Sequence, residues 1–373
     1  RPSTRRVHAH LASTPRSSPM SRPSRARASL VVGVLALSAC APVAHAADGA
    51  VDLGPAEQVR LGYFATVTHA PALVGLERGF FADELGETEL TTQVFGAGPA
   101  AIEALDAGAI DAAFVGPNPA ISAYLRSDGA SLRIVSGAAS GGAQLVVRAG
   151  IDVPGDLVGA TLASPQLGGT QDVALRTWLA EEGLESRLRG GGDVTITPTS
   201  SALTLQLFRE GTIDGAWLPE PWASRLVVDA GAHVLVDERA LWPGGQFPTT
   251  YLVVSTRFLA EHPATVRALV SATAESVDWI TANPAKAAAQ VNASLDALTG
   301  TPLSDTVLER ALAEVTFTTD PIATALPVLR DHAAAAGTSP DAPIDHLLDL
   351  GALNAVRSAR GEPPVSDAGL GQG

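Results

Sequence analysis

The 373-residue sequence predicts an α/β protein of two lobes, each a mainly parallel sheet flanked by helices, with further helices towards the C-terminus. Three observations predict it. The chain is 46% hydrophobic, enough for two cores at typical domain sizes of roughly 100–200 residues. Strand-like and helix-like runs alternate, which favours βα units and parallel pairing. An internal similarity also recurs: Ala107–Ala120 aligns without gaps on Glu210–Ala223. Gly108/Gly211, Ile110/Ile213, Asp111/Asp214, Ala113/Ala216 and Ala120/Ala223 are identical there, and Phe114/Trp217 and Val115/Leu218 agree in kind. Chance between two alanine-rich βα units would give a weaker version of the same pattern; two pseudo-symmetric lobes explain it directly.

In order along the chain, residues 1–19 precede Met20, the only methionine, and read as an upstream extension. Residues 20–39 read as a secretory signal, with Arg22, Arg25 and Arg27 ahead of the apolar run LVVGVLALSA, which is too short to span a bilayer. Leu37-Ser38-Ala39-Cys40 has the form of a bacterial lipobox, which makes Cys40 the lipidated first mature residue; cleavage after Ala44-His45-Ala46 is the competing, soluble outcome. Residues 40–57 form a polar tether.

The first part of lobe 1, 58–145, opens with VRLGYF and APALVGLERGFF, continues with TTQVF and GPAAIEALDAG, and then IDAAFV and NPAISAYLRS. Residues 132–147 are two extended runs around a Gly/Ser turn, a crossing point between lobes. Lobe 2, 146–250, repeats the grammar with GATLAS, VTITPTS before SALTLQLFREG, and IDGAWLPEP before WASRLVVDAG. Residues 251–365 return to lobe 1 through Tyr251–Ser255 and become helical, with Pro263 at a first-turn position; 366–373 form a tail.

Charge and cysteine content narrow the function classes. Seven of the 25 basic residues and none of the 39 acidic ones precede Cys40, so the chain from Cys40 onward carries 18 basic residues and a net charge of −21. Nucleic acid is excluded as a partner. An anionic ligand would be held by local dipoles rather than by a cationic surface. Cys40 is the only cysteine, which leaves no disulfide framework and suits an anchor; a lipid with two or three chains would hold the protein at a membrane.

The segment SPQLGGTQDVALRTWL (164–179) carries the first chemical signal. Leu175, Trp178 and Leu179 form an apolar stripe, so a helix begins near Thr170 with unpaired first-turn N–H groups at the positive end of its dipole. Gly168 and Gly169 admit a ligand close to the backbone, and Thr170 and Gln171 add side-chain donors. An ordinary N-cap at Thr170 explains the same residues. Thr66–Pro71, Gly96–Pro99, Gly116–Pro119, Ser140–Gly142 and Pro219–Trp222 also follow strand-like runs, and in open α/β sheets such corners converge on ligands.

THAPALVGLERGFF, the GAGPAAIEAL to GAIDAAFVGPNPA run, SPQLGGTQDVALRTWL, and DGAWLPEPWASRLV followed by LWPGGQFPTTYLVV resemble the aliphatic-sulfonate, nitrate and taurine family of ABC-transporter substrate-binding proteins, from about Val59 to about Leu329. The resemblance implies a type II periplasmic-binding-protein fold that clamps a small anion between two lobes and delivers it to a membrane permease. It implies a monomer without cofactor or metal, with cleft residues Thr68, His69, Asn118 and Ser140 from one lobe and Gly169, Thr170, Gln171, Glu220 and Trp222 from the other.

Each of these residues also has a bland reading. His69 is equally a structural histidine, and Asn118 between two prolines an Asx-turn. Glu220 would repel an anion; bracing a turn, pairing with Arg225 and selecting an amine are its options, bracing foremost. Trp217 reads as core and Trp222 as a cleft wall. Arg148 and Arg176 read as solvated, with the option of closing on a sulfonate.

Enzyme readings fare worse. Pro99 spoils the dinucleotide-like Gly96-Ala-Gly98, Ser140 lacks a nucleophile-elbow flank, no Cys/His cluster suits a metal, and the cysteine-rich segment of the pyrimidine synthases on this superfold is missing. The sequence therefore points to an extracytoplasmic, lipid-anchored importer component for a small organosulfonate or related oxyanion. Nitrate, taurine or a thiamine-precursor pyrimidine are alternative ligands, and a secreted enzyme or a sensory lobe the alternative roles.

Overall fold

A computed structural model describes residues 51–371. The expected extension, the signal peptide, Cys40 and all but the last residues of the tether lie outside the described residues. The tether's end is tied down: Leu53 N donates to Glu261 O (2.8 Å) and Ala56 N to Thr265 Oγ1 (2.8 Å).

Eleven strands occur among the described residues: β1 Gln58–Phe64, β2 Glu89–Phe95, β3 Ala112–Val115, β4 Leu132–Gly141, β5 Ala143–Val147, β6 Thr161–Ser164, β7 Thr195–Pro198, β8 Gly215–Pro219, β9 His233–Asp237, β10 Pro248–Ser255 and β11 Val315–Phe317. They form two sheets, one ordered β11-β4-β10-β3-β1-β2 and the other β7-β6-β8-β5-β9. In the first, β1 lies parallel between β2 and β3, and β10 is antiparallel to both β3 and β4. In the second, β6 lies parallel between β7 and β8, and β5 is antiparallel to both β8 and β9.

The two sheets thus share one plan, three parallel strands followed by one reversed strand, and the sequence repeat occupies equivalent places in both. Asp111, just before β3, accepts the Arg60 N–H of β1 on Oδ2 (2.9 Å) and returns its own N–H to Arg60 O (2.9 Å). Asp214, just before β8, does the same to Thr161 of β6, at 2.8 and 2.7 Å. One acidic residue therefore sets the register of the first strand in each lobe, which identical geometry, beyond a shared composition, explains.

Helices cover both faces of the sheets, so β3 and β5 are buried along their whole length and carry apolar residues continuously. The first lobe's core includes Leu61, Leu73, Phe81, Phe114 and Tyr251. The second sheet has a core on each side, Leu145, Leu162, Trp178 and Trp217 on one and Val146, Leu205, Leu218 and Leu226 on the other. The alternation of Leu145 and Val146 between them follows the period-two geometry of a strand. Trp217 is core, as its strand position predicts.

The chain leaves the first sheet at Gly141 and enters the second at Ala143. Gly141 (φ 79°) and Gly142 (φ 73°) make this crossing in a left-handed conformation that glycine adopts without strain, and a side chain at 142 would meet Val315 and Thr68. The return runs from β9 to β10 through two short turns, Glu238–Leu241 and Pro243–Gly245. Helices Pro263–Ala282 and Pro284–Thr299 follow, each with proline in its first turn, where the missing N–H costs no helical bond. Helices Asp305–Ala313, Leu326–Ala335 and Gly351–Ala359 complete the chain. Among the described residues no helix is long and apolar enough to cross a membrane.

Candidate functional site

A cavity of about 230 Å³ lies between the two lobes at the carboxyl ends of the strands. The corner after β1 supplies Phe64, Thr66, Thr68 and His69. The corner after β2 supplies Gly96–Gly98, and that after β3 supplies Gly116. From the other sheet come Gln166, Gly169, Thr170 and Gln171 after β6, Ser200 and Ser201 after β7, and Trp222 after β8. The five corners after β2, β3, β6, β7 and β8 each precede a helix: Gly98–Asp106, Pro117–Arg126, Thr170–Glu181, Ser201–Arg209 and Trp222–Ala230. None of the N-cap residues of these five helices makes a side-chain cap hydrogen bond, and only in the last helix is a first-turn amide, Ser224 N, taken by another side chain, that of Glu220. Their first-turn amides form the positive ends of dipoles that converge from both sheets on one space.

The lining contains no Asp, Glu, Lys or Arg. Donors and aromatic walls remain, and they differ between lobes. Pro99, Pro117 and Pro119 remove amide hydrogens from the first-lobe helix starts, whereas the helices at Thr170 and Ser201 keep theirs.

Thr170 is 5% exposed, and its hydroxyl is buried without a partner. It faces Gly116 of the other lobe, where an added Cβ would collide with it. A buried hydroxyl that bonds to nothing in the protein forgoes about 1–3 kcal/mol of hydrogen bonding.

His69 accepts the Phe64 N–H on Nδ1 (3.2 Å) and stacks on the Phe64 ring with centroids 4.2 Å apart. Burial pushes its pKa down to about 3. The ring is therefore neutral with its proton on Nε2, a donor without charge.

The glycine loop 165–169 is held by an ion pair that sequence reasoning missed. Asp172, fully buried in the first turn of its helix, accepts Ser164 Oγ (2.8 Å), Gly168 N (3.0 Å) and Arg176 Nε and Nη2 (2.9 and 3.2 Å). Arg176 is 4% exposed, so the expectation of a solvated arginine is corrected: its Nε and Nη2 donate to Asp172, one helical turn away, and its Nη1 is buried without a partner. Arg148 is likewise committed, with Nε 3.0 Å from Asp214, and is only partly exposed. The i, i+4 spacing of Asp172 and Arg176 was the available signal.

The structure brings Thr68, His69, Gly169, Thr170, Gln171 and Trp222 to the cavity and sets Asn118, Ser140 and Glu220 apart from its lining. Asn118 donates from Nδ2 to Leu329 O (3.3 Å), while its Oδ1 is buried without a partner. Ser140 lies in β4, between β10 and β11. Glu220, with no exposed surface, accepts the Ser224 N–H (3.1 Å) and Arg310 Nη1 (3.0 Å). Burial pushes its carboxyl up to about 7, against the pull of the Ser224 bonds and of the Arg310 guanidinium. Of the three options, Glu220 braces the start of the 222–230 helix; its cation is Arg310 and not Arg225. Phe64, Phe95, Ser200, Ser201, Thr249 and Thr299 line the cavity without having been singled out, and Gly116 does so from a corner that was. Ser200-Ser201 sits at a strand-to-helix corner like the others, and that signal was available.

Two α/β lobes joined by crossing strands, with uncapped helix starts around one cavity between them, define a ligand-binding protein of the periplasmic-binding-protein fold. The chain belongs to the NMT1-like family, whose profile matches residues 52–295. A bicarbonate-binding protein of Synechococcus is 27% identical over 271 residues, 62% of this chain and 56% of that protein. Among solved structures, the alkanesulfonate-binding protein of Xanthomonas axonopodis pv. citri bound to MOPS superposes with a TM-score of 0.62 at 24% identity, covering 76% of this chain and 95% of that one. The nitrate-binding protein of Synechocystis gives a TM-score of 0.70 at 16% identity, covering 82% and 89%. Each of these relatives is named as a binding protein.

Proposed function

We propose that the protein is the extracytoplasmic substrate-binding component of an ABC importer, that it captures a small organosulfonate or related oxyanion between its lobes, and that lipid on Cys40 anchors it to the membrane. The observation that carries this reading is the Thr170 hydroxyl, buried and unpartnered at an uncapped helix start that faces the cavity. Oxyanion oxygens would accept from the Thr170 hydroxyl, the amides at 170–171 and 201, and His69 Nε2, each charge-assisted bond worth roughly 1.5–3 kcal/mol. The carbon body would lie against Phe64, Phe95 and Trp222. Lobe rotation about the Gly141–Gly142 crossing would then present the closed form to a permease. The relatives named for alkanesulfonate, nitrate and bicarbonate support an anionic ligand.

The test is a thermal-shift and calorimetric panel of sulfonates, taurine, nitrate and bicarbonate on protein lacking residues 1–40. Saturable stoichiometric binding of a sulfonate supports the reading, and silence from every oxyanion refutes it. The absence of any cation from the lining, with aromatic rings around it, favours one second reading, a neutral flat heterocycle such as a thiamine-precursor pyrimidine, so pyrimidines belong in the same panel. Labelled-palmitate incorporation that Cys40→Ser abolishes tests the anchor, and light scattering tests the expected monomer.

A further inference from the structure

A second cavity of about 300 Å³ adjoins the first, and the two share Ala65, Ala202, Trp222 and Thr299 as a common wall. Their chemistry differs. The first has no charged side chain, whereas the second has one, Arg225, and no acid. Arg225 lies one helical turn beyond Trp222, with its guanidinium 4.8 Å from the indole centroid. Its anionic neighbour is Asp229, at 3.5 Å from Nε, too long for a good hydrogen bond. Its side chain is 19% exposed, so the charge is partly desolvated and only loosely compensated. The planar fork of donors on a guanidinium suits a carboxylate or sulfonate, and stacking on the indole keeps the side chain extended towards it.

We infer that the two cavities form one elongated site, and that the substrate is a bifunctional organic acid: an oxyanion head at the Thr170 helix start, a short carbon linker passing Trp222, and a second anionic group on Arg225. The inference rests on the sulfonate reading of the first cavity and adds the far end of the molecule. The Arg225 guanidinium lies 4.8 Å from the centroid of the Trp222 indole, part of the wall the two cavities share, so a short linker passing that ring brings the far end of the molecule to it. Arg225 thereby sets specificity. A monofunctional sulfonate fills the first cavity alone and leaves the guanidinium with Asp229.

The test compares 4-sulfobutanoate with butanesulfonate by calorimetry, since the two have the same carbon count and differ at the far end. In the native protein 4-sulfobutanoate binds at least about tenfold tighter. Arg225→Gln removes that advantage and changes butanesulfonate affinity by less than about twofold, while Asp229→Asn tightens 4-sulfobutanoate severalfold and leaves butanesulfonate alone. Equal affinities in the native protein, or an equal loss of both ligands in Arg225→Gln with an unchanged melting temperature, overturn the inference and leave the sulfonate reading standing. Failure of both ligands to bind the native protein refutes that reading, and this one with it.

Discussion

Arg310 reaches from the Asp305–Ala313 helix into a socket made by the second lobe, where it donates to Glu220 Oε1 (3.0 Å), Ser224 Oγ (2.7 Å) and Gln144 Oε1 (2.6 Å). Arg310→Met leaves Glu220, which has no exposed surface, with Ser224 alone, through its N–H and its hydroxyl, to hold the carboxyl. Removing one partner of a buried ion pair costs about 3–5 kcal/mol when the survivor must stay charged. Glu220 can escape by binding a proton, which makes the cost depend on pH. Its carboxyl stands at about 7 in the folded protein against an ordinary 4.5, so the folded state holds the proton more tightly than the unfolded one. This group therefore withdraws stability as pH rises from 4.5 to about 7, on the order of 3 kcal/mol once fully ionised. Without Arg310 the folded pKa moves higher still, because burial remains and an opposing attraction is gone. Urea denaturation of Arg310→Met, followed by tryptophan fluorescence, should show a loss of about 1–2 kcal/mol near pH 5, where the carboxyl is protonated in both proteins. Near pH 8.5 the loss should reach about 4 kcal/mol. Adding Glu220→Gln should remove the difference between the two pH values. An equal loss at both, or a larger one in acid, refutes the account of Glu220 as a buried carboxylate held by Arg310.

Three further outcomes follow from the site. Thr170→Val keeps the shape and removes a hydroxyl with no partner in the protein, so the ligand-free melting temperature should hold or rise while ligand affinity falls roughly tenfold by calorimetry; unchanged affinity takes Thr170 out of the site. Arg176→Leu strips two of the four donors from the fully buried Asp172 carboxylate and should destabilise by about 3–5 kcal/mol in chemical denaturation, with faster hydrogen exchange in loop 165–169; a loss under about 1 kcal/mol refutes the clamp. His69, with its pKa pushed down to about 3, stays neutral across the working range, so ligand affinity should vary by less than about twofold between pH 5 and 8; a steep gain in affinity on acidification means that the ring protonates.

How legible the molecule was depended on the range of the interaction concerned. The helix at Thr170–Glu181 was readable because its stripe, its glycines and its start are all local, and Leu175, Trp178 and Leu179 are indeed buried. The Asp111/Asp214 repeat was readable because each acid serves a neighbouring strand in the same βα grammar. Strands β9 and β11 were not singled out: β11 is a three-residue edge strand, and five-residue β9 closes the other sheet's edge, so neither buries an alternating face. Asn118 shows the limit for site residues. Its corner has the right look, yet the direction of its amide is decided by Leu329, 211 residues away. Glu220 shows it again, since its partner Arg310 sits on a C-terminal helix that no local pattern connects to the β8 corner.

The cavity's lack of charged side chains follows from where the protein spends its arginines. Beside the strand-to-helix corners Arg176 pairs with Asp172 and Arg310 with Glu220, while Arg60 and Arg148 pair with Asp111 and Asp214 at the amino ends of the parallel strands, on the far edge of each sheet. These pairs fix the framework and leave the cavity to backbone dipoles. Fixed dipoles suit capture because they need not be neutralised when the site is empty: a free guanidinium in the cavity would draw counter-ions or the chain's own carboxylates, of which there are many. A set of uncapped amides remains solvated until a ligand replaces the water. The prolines at 99, 117 and 119 then make the two lobes unequal. First-lobe starts contribute few amides, the second-lobe starts at 170 and 201 contribute theirs in full, and the first lobe adds Phe64, Phe95 and the uncharged His69 donor; on the proposed reading an oxyanion would bind the second lobe first. Gly116 of the first lobe already packs against the Thr170 hydroxyl of the second, so the two lobes meet at the helix start that keeps its amides.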